Sequence, residues 1–394
     1  MHWRTAAAVG MRTAEAWVRS QLGLQVRPYK ALLELTGLCN SRCVTCAICK
    51  TPASKIRQET TLADLSRMLE ASGKDLIWLA FSGGEVTLYE DFAKLVRRAR
   101  ELCPKLTLLT FTTNGLLPEK ALECALAIKA SGCDAFVTIS LDGDAKTHDR
   151  LRGIEGNYDL CLKTQRLLEA HGIVAHFGIT LSDDNAEFIR EKFALGADKF
   201  RAVTFVHSDG MYGQSNSPDD RAIMSSLLTV YRHYRTRDLG EVVEKAYLRL
   251  GLSFLHGGRR RNPVRCGVGS SSLHVRPDGN VHHCMFEPPL GNIREQPSLK
   301  RIANLPQARR NLQRIERGDC AHCWMNCYAP HSMLMHPLQT LLQVLRPVPA
   351  ATGPGATAKA SHPLPPPRPL RRRVKVVAQG SAQAASPPRA GEIS

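Results

Sequence analysis

The sequence predicts an α/β fold in which about six strand–helix units build either a partial barrel or a doubly wound sheet. Three observations carry this. First, six short runs are apolar almost throughout, as strands buried on both faces are. They are Lys30–Thr36, Leu76–Ser82, Leu106–Thr112, Ala135–Leu141, Val174–Leu181 and Ala202–His207. Second, longer helical patterns lie between them, such as Asp91–Leu102, Pro118–Ser131 and Asn157–His171. Such alternation implies right-handed βαβ units and parallel strands. Third, the stretch is too short for eight units, which need about 200 residues or more.

The flanking segments follow in order. Residues 1–29 place Arg4, Arg12, Arg19 and Arg27 among Ala, Leu and Val, with one acid, Glu15. This reads as an amphipathic helical extension packed on the domain. An Arg-rich, acid-poor start also suits a transit peptide, but the continuous apolar core of a secretory signal is missing. Residues 30–208 form the barrel region. Residues 209–263 read as a connector, with a loop over Asp209–Asp219 and helices near Asp220–Arg237 and Gly240–Leu252. Residues 264–345 read as a small Cys-rich domain. It opens with a hairpin over Ser272–Met285 that turns at Pro277–Asn280. Its last stretch, Ser332–Leu345, is helix-prone with an apolar face that is expected to dock on the barrel, with contact to a membrane as the alternative. Residues 346–394 hold ten of the 23 prolines and eight Lys/Arg against one Glu. Such a tail cannot bury a core and is expected to be disordered.

Composition bounds the function. The 394 residues carry 53 Lys+Arg against 36 Asp+Glu, a net charge of +17, and 43% hydrophobic residues. That is enough for a core. No run of 18 apolar residues exists, so no membrane-spanning helix is expected, and a cytoplasmic location follows. The basic runs Arg259–Arg261, Arg368 and Arg371–Arg373 lack interleaved aromatics for base stacking. They read as solvated charge rather than a nucleic-acid or membrane site, although a nucleic-acid modifier would show salt-sensitive binding.

Thirteen cysteines are too few for a disulfide scaffold, and nine fall in two groups. Cys103, Cys124, Cys133 and Cys161 sit in helical or pre-strand positions and read as inert core thiols. The first group is Cys39, Cys43, Cys46 and Cys49, of which the first three spell C-x3-C-x2-C directly after the first strand. Three thiolates on one loop can hold three irons of a cubane and leave the fourth open; zinc, which wants four ligands, is the alternative. Cys49 follows and reads as a neighbour rather than a ligand. Later strands end in Gly83-Gly84-Glu85, Thr113-Asn114-Gly115 and Ser140-Leu141-Asp142-Gly143. In a barrel such strand ends converge on one mouth. The second group comprises Cys266, Cys284, Cys320, Cys323 and Cys327, with Gly279 five residues before Cys284. Four of these could close a site, with a structural zinc ribbon as the alternative. His282 and His283 read as surface residues.

Taken in this order, the motifs resemble those of the radical S-adenosylmethionine (SAM) enzymes, over about Ala31 to His207. The resemblance implies a partial (βα)6 TIM-type barrel and a 4Fe-4S cluster on Cys39, Cys43 and Cys46. It implies that SAM binds the open iron. Gly83, Gly84 and Glu85 match the element that binds the methionyl ammonium. Ser140 and Asp142 match positions near the ribose, Asn114 lies beside them, and Thr180 matches a SAM contact on the fifth strand. Thr45 and Val86 depart from the family's frequent aromatic and proline at those places. The second group resembles the SPASM/Twitch auxiliary domain. That implies a second 4Fe-4S cluster on Cys266, Cys284, Cys320 and Cys323, with Cys327 as a fifth candidate. The implied chemistry is reductive cleavage of SAM to a 5′-deoxyadenosyl radical that abstracts hydrogen from a small-molecule or peptide substrate. An external donor of flavodoxin or ferredoxin type would supply electrons. The competing reading is an iron–sulfur or zinc protein for binding or electron transfer, without SAM cleavage. With only about 30 residues before the first strand, an N-terminal peptide-recognition domain is not expected.

Overall fold

A computed structural model of the chain describes residues 3–193, 200–205, 220–236, 239–256 and 260–348. The expected loop at 209–219, His207, Arg259 and the tail from residue 349 lie outside the described residues.

Strands β1 (Lys30–Glu34), β2 (Trp78–Ser82), β3 (Leu108–Thr113), β4 (Asp134–Ser140), β5 (Val174–Leu181) and β6 (Phe200–Phe205) pair in sequence order, all parallel. The helices alternate with them: α1 (Trp3–Gln21), α2 (Ala53–Ile56), α3 (Leu62–Ser72), α4 (Phe92–Leu102), α5 (Pro118–Ala130), α6 (Ala145–Arg152), α7 (Asn157–Ala170) and α8 (Ala186–Lys192). One side of the sheet packs on these helices through Leu33, Leu79, Phe81, Phe111, Val137, Ile139 and Phe177, all buried. The other side, at every second residue, lines the barrel interior. Each strand thus buries its helix-facing side fully and leaves the inner side half-buried against the cavity. This is the partial barrel that the strand count implied.

The hairpin and the two connector helices stand where the sequence placed them, but how the hairpin joins the sheet was not legible from local pattern. Strand β7 (Ser272–Val275) pairs parallel with β1, and β8 (Asn280–His282) and β9 (Gly291–Asn292) continue the same sheet antiparallel. The order is β6-β5-β4-β3-β2-β1-β7-β8-β9. The Cys-rich segment therefore extends the barrel sheet rather than folding beside it. Helices α9 (Asp220–His233) and α10 (Leu239–Leu255) precede it, and α11 (Leu299–Ala303), α12 (Pro306–Glu316), α13 (Ala329–Met335) and α14 (Pro337–Val344) follow. Tyr247 on α10 stacks on Trp324, with ring planes 8° apart, and each donates to the other's carbonyl. Arg294 reaches back to Asp64 at the start of α3.

Two expectations are corrected. Ser332–Leu345 is not one docked helix. Pro337 lacks an N–H and divides it into α13 and α14, and α14 buries no residue. His282 and His283 are buried, not on the surface. Each bonds a backbone carbonyl, of Glu287 and Ala308 respectively, and burial lowers the pKa of both, that of His283 to about 4.

Candidate active site

The loop after β1 is held from three sides. Gly84 donates to the Thr36 carbonyl at 2.6 Å and Glu85 to the Leu38 carbonyl at 2.8 Å. A Cβ on Gly84 would sit 2.1 Å from the Leu38 oxygen, and Gly83 has φ +132°, so the double glycine is a requirement of close approach. On the second side, Asn114 donates to Asn40 at 2.7 Å. On the third, Arg42 and Val44 donate to the carbonyls of Arg152 and Leu151 at the end of α6. That helix ends in Gly153, whose left-handed φ of +67° lets it pack under Arg42.

So positioned, Cys39, Cys43 and Cys46 open into one cavity of about 500 Å³. Gly83, Gly84, Glu85, Asn114, Ser140 and Thr180 line the same space. Cys49 sits on the following 3₁₀ turn and is not among the lining residues. Glu85 is buried and accepts from Thr87, Thr113 and the Asn114 N–H. Burial raises its pKa against those bonds.

Asp142 differs from the other motif residues, because it is absent from the cavity lining. Its carboxylate accepts from Arg152 Nε at 2.7 Å and from the Thr180 N–H at 3.0 Å. Arg152 in turn reaches the Cys43 sulfur at 3.7 Å and lines the cavity. Burial alone would lower the Arg152 pKa, but Asp142 outweighs it and holds the guanidinium charged. Arg152 is thus a site residue that motif matching left without a role. Its only sequence signal was its place in the run after Asp142. His148 accepts the Asp142 N–H at Nδ1 and lies 2.8 Å from Asn157 Oδ1 at Nε2, which fixes its Nε2–H tautomer.

The same cavity is also lined by Lys30, Glu34, Trp78, Phe136, His176, His274, Cys327 and Tyr328. Glu34 bonds His274 at 2.8 Å, and His274 bonds the Tyr328 hydroxyl at 3.0 Å. Lys30 sits 4.0 Å over the Trp78 ring, and burial lowers its pKa to about 8. Behind Tyr328 is a second, smaller cavity lined by Cys266, Cys284, Cys320 and Cys323. Four of the five cysteines of the second group thus share one space, and Cys327 faces the other. Tyr328 lines both cavities.

The chemistry of the thiols fits iron–sulfur groups. Cys39, Cys46, Cys266, Cys284 and Cys320 each accept a backbone N–H from two residues on. Such bonds favour a thiolate and tune a bound cluster. Burial opposes them and raises these thiol pKa values, to about 11 for Cys39 and Cys266, so binding iron must displace protons. Ser41, inside the first loop, is buried with an unpartnered hydroxyl. Among the described residues no three His, Cys, Asp or Glu side chains close on one point as a mononuclear metal needs. A cubane, with one thiolate per iron, asks for wider spacing.

Comparison with known proteins matches these features. Residues 33–191 match the radical SAM superfamily, and residues 266–327 match SPASM, an iron–sulfur cluster-binding domain. Fe-coproporphyrin III synthase of Methanosarcina barkeri is 31% identical, over 74% of this chain and 80% of that protein. The chain belongs to the radical SAM superfamily. As a radical SAM protein with a SPASM domain, it takes a 4Fe-4S cluster, SAM and further iron–sulfur as cofactors. The subtilosin biosynthesis protein AlbA of Bacillus subtilis is 25% identical over 75% of this chain, which spans 64% of that relative's length. In fold, the chain is similar to anSMEcpe with bound AdoMet, with a TM-score of 0.55, 16% identity, and coverage of 80% of this chain and 99% of that one. Streptococcus suis SuiB bound to SAM gives a TM-score of 0.54 at 16% identity, over 74% of this chain and 69% of that one. No described helix is long and apolar enough to cross a membrane.

Proposed function

We propose that this chain is a SAM-cleaving enzyme that works on a substrate held between its two cysteine sites. Cys39, Cys43 and Cys46 would ligate one cluster, and Cys266, Cys284, Cys320 and Cys323 a second. The observation that carries the reading is the single cavity lined both by the three thiols and by Tyr328, which also walls the four-cysteine space. When bound, the first cluster and SAM supply a 5′-deoxyadenosyl radical for hydrogen abstraction.

The chain's own residues orient and shield. Gly83 and Gly84 leave backbone room beside the first loop, and Glu85 offers a buried acceptor for an ammonium. Ser140 and Thr180 present hydroxyls at adjacent strand ends. Asp142 acts through Arg152, whose charge lies beside Cys43. Trp78, Phe136 and Met325 give the cavity an apolar wall that excludes water from a reactive intermediate. The volume suits a small molecule or a short peptide segment. Both classes are named among relatives: PqqA peptide cyclase of Gluconobacter oxydans and AdoMet-dependent heme synthase of Methanosarcina barkeri.

Anaerobic reconstitution tests the reading. Roughly eight irons per chain are expected from two cubanes, with release of 5′-deoxyadenosine on reduction. Full iron without deoxyadenosine would favour a binding or electron-transfer protein instead.

A further inference from the structure

Helix α1 is turned inside out. Its buried stripe is small and half polar: Thr5, Val9, Thr13 and Ala16. Thr13 is satisfied there by the Val9 carbonyl and the Tyr29 hydroxyl, each at 2.7 Å. Its large apolar side chains face outward instead. Met11 is 67% exposed and Trp17 and Val18 over 40%, and Leu22, in the turn directly after the helix, is 67% exposed. Met11, Val18 and Leu22 recur at helical spacing on one face, with Arg12 and Arg19 along its flank. The one acid of the helix, Glu15, is neutralised by Arg12, Arg19 and Arg27.

A second apolar face lies nearby in the fold. The inner side of α1 packs on Met335 of α13, two residues before α14 begins. On α14, Leu338, Leu341, Leu342 and Leu345 are all more than half exposed, and the helix carries no charge. Large exposed apolar faces on α1 and α14, two helices that each pack on α13, mark an interaction surface.

Charge selects the occupant. A cavity of about 170 Å³ at the C-terminal end of α1 is lined by Arg19, Arg27, Arg309, Leu24 and Glu316, with Glu15 paired to Arg19 and Asp75 to Arg27, so the excess positive charge lies beyond α14. The sequence directly after α14 adds the +7 of residues 346–394. Tryptophan and leucine beside arginine are the composition of a helix that lies in a membrane interface, and apolar insertion plus a basic segment gives two anchoring signals. We propose that α1 and α14 seat this protein on an anionic bilayer surface, without spanning it. This goes beyond the proposed reaction and does not depend on it.

The test is co-sedimentation of the full chain with phosphatidylcholine vesicles, with and without about a third phosphatidylglycerol. Binding is expected on the anionic vesicles, weakening with salt, with a blue shift of tryptophan emission. Trp17→Gln/Leu22→Gln and Leu341→Gln/Leu342→Gln should each reduce the bound fraction roughly tenfold or more by removing inserted apolar area. Their circular dichroism and deoxyadenosine release should be unchanged. Three outcomes would overturn the proposal. One is no binding to anionic vesicles. Another is equal binding by both variants, which would leave the basic tail alone responsible. The last is a wild-type dimer, in light scattering, that the variants dissolve while vesicles go unbound.

Discussion

The two cysteine sites are built in opposite ways. The first is a loop with three thiols, open to a large cavity and tied down by polar contacts from β2, β3 and α6. The second is a much smaller space with four thiols, set among Val268, Met285, Met325 and Tyr328 and reached by amides of its own turns. An open three-thiol site leaves coordination for something else to bind. A closed four-thiol site leaves none and suits a group that transfers electrons or braces a small domain.

The largest effects should separate the sites. Cys43→Ala is expected to abolish deoxyadenosine release and to remove about half of the iron, while Cys49→Ala changes neither. Cys284→Ala is expected to remove the other half, lower the melting temperature and leave reductive SAM cleavage measurable. Iron analysis and chromatographic assay of deoxyadenosine check both. Loss of iron in Cys49→Ala but not in Cys39→Ala would mean the wrong triplet has been assigned.

The next effect concerns the clamp on the open loop. Arg152→Gln leaves Asp142 as a buried unpaired carboxylate, which typically costs about 3–5 kcal/mol. Urea unfolding should show it, and the double variant with Asp142→Asn should recover part of it. A cost under about 1 kcal/mol would show that the glycine and asparagine contacts hold the loop without the ion pair.

The smallest effect lies in the strut between the two regions. Burial pushes the Asp64 carboxyl up, but the Thr61 cap, Arg67 and Arg294 outweigh it and hold it at about 2, against an ordinary 3.8. A depressed carboxyl contributes stability above its unfolded value and loses it as pH falls through the folded one. Asp64→Asn should therefore cost about 2 kcal/mol at neutral pH, a difference that shrinks as pH falls from about 4 to about 2. Thermal melts across that range would read it.

What could be read from the sequence was local. Apolar runs located the six barrel strands to within two residues at almost every end, because one face of each is fully buried against the helices. Cysteine spacing separated the two groups, since ligands on one loop must be near neighbours. Long-range partnership was not readable. Nothing near Asp142 says that Arg152 and the Thr180 amide will take its carboxylate, and nothing near His282 says that Glu287 will turn back to accept its proton. The break at Pro337 was readable in principle from proline chemistry, and the helical pattern on either side obscured it. The inverted burial of α1 was hidden for a different reason: which face of an amphipathic helix points inward depends on what it meets.

One pairing has a consequence in time. Strand β1 carries the first cysteine loop, and among the described residues its outer edge pairs with β7, with Ser272 facing Lys30 from 242 residues further on. During synthesis the barrel strands are made while β1 still presents an open row of N–H and C=O groups, a template for pairing with the wrong chain. The contact that closes it is among the most distant in the sheet, and such contacts form slowly. A chain cut short before β7 should therefore fail by aggregation, not merely by losing its second site.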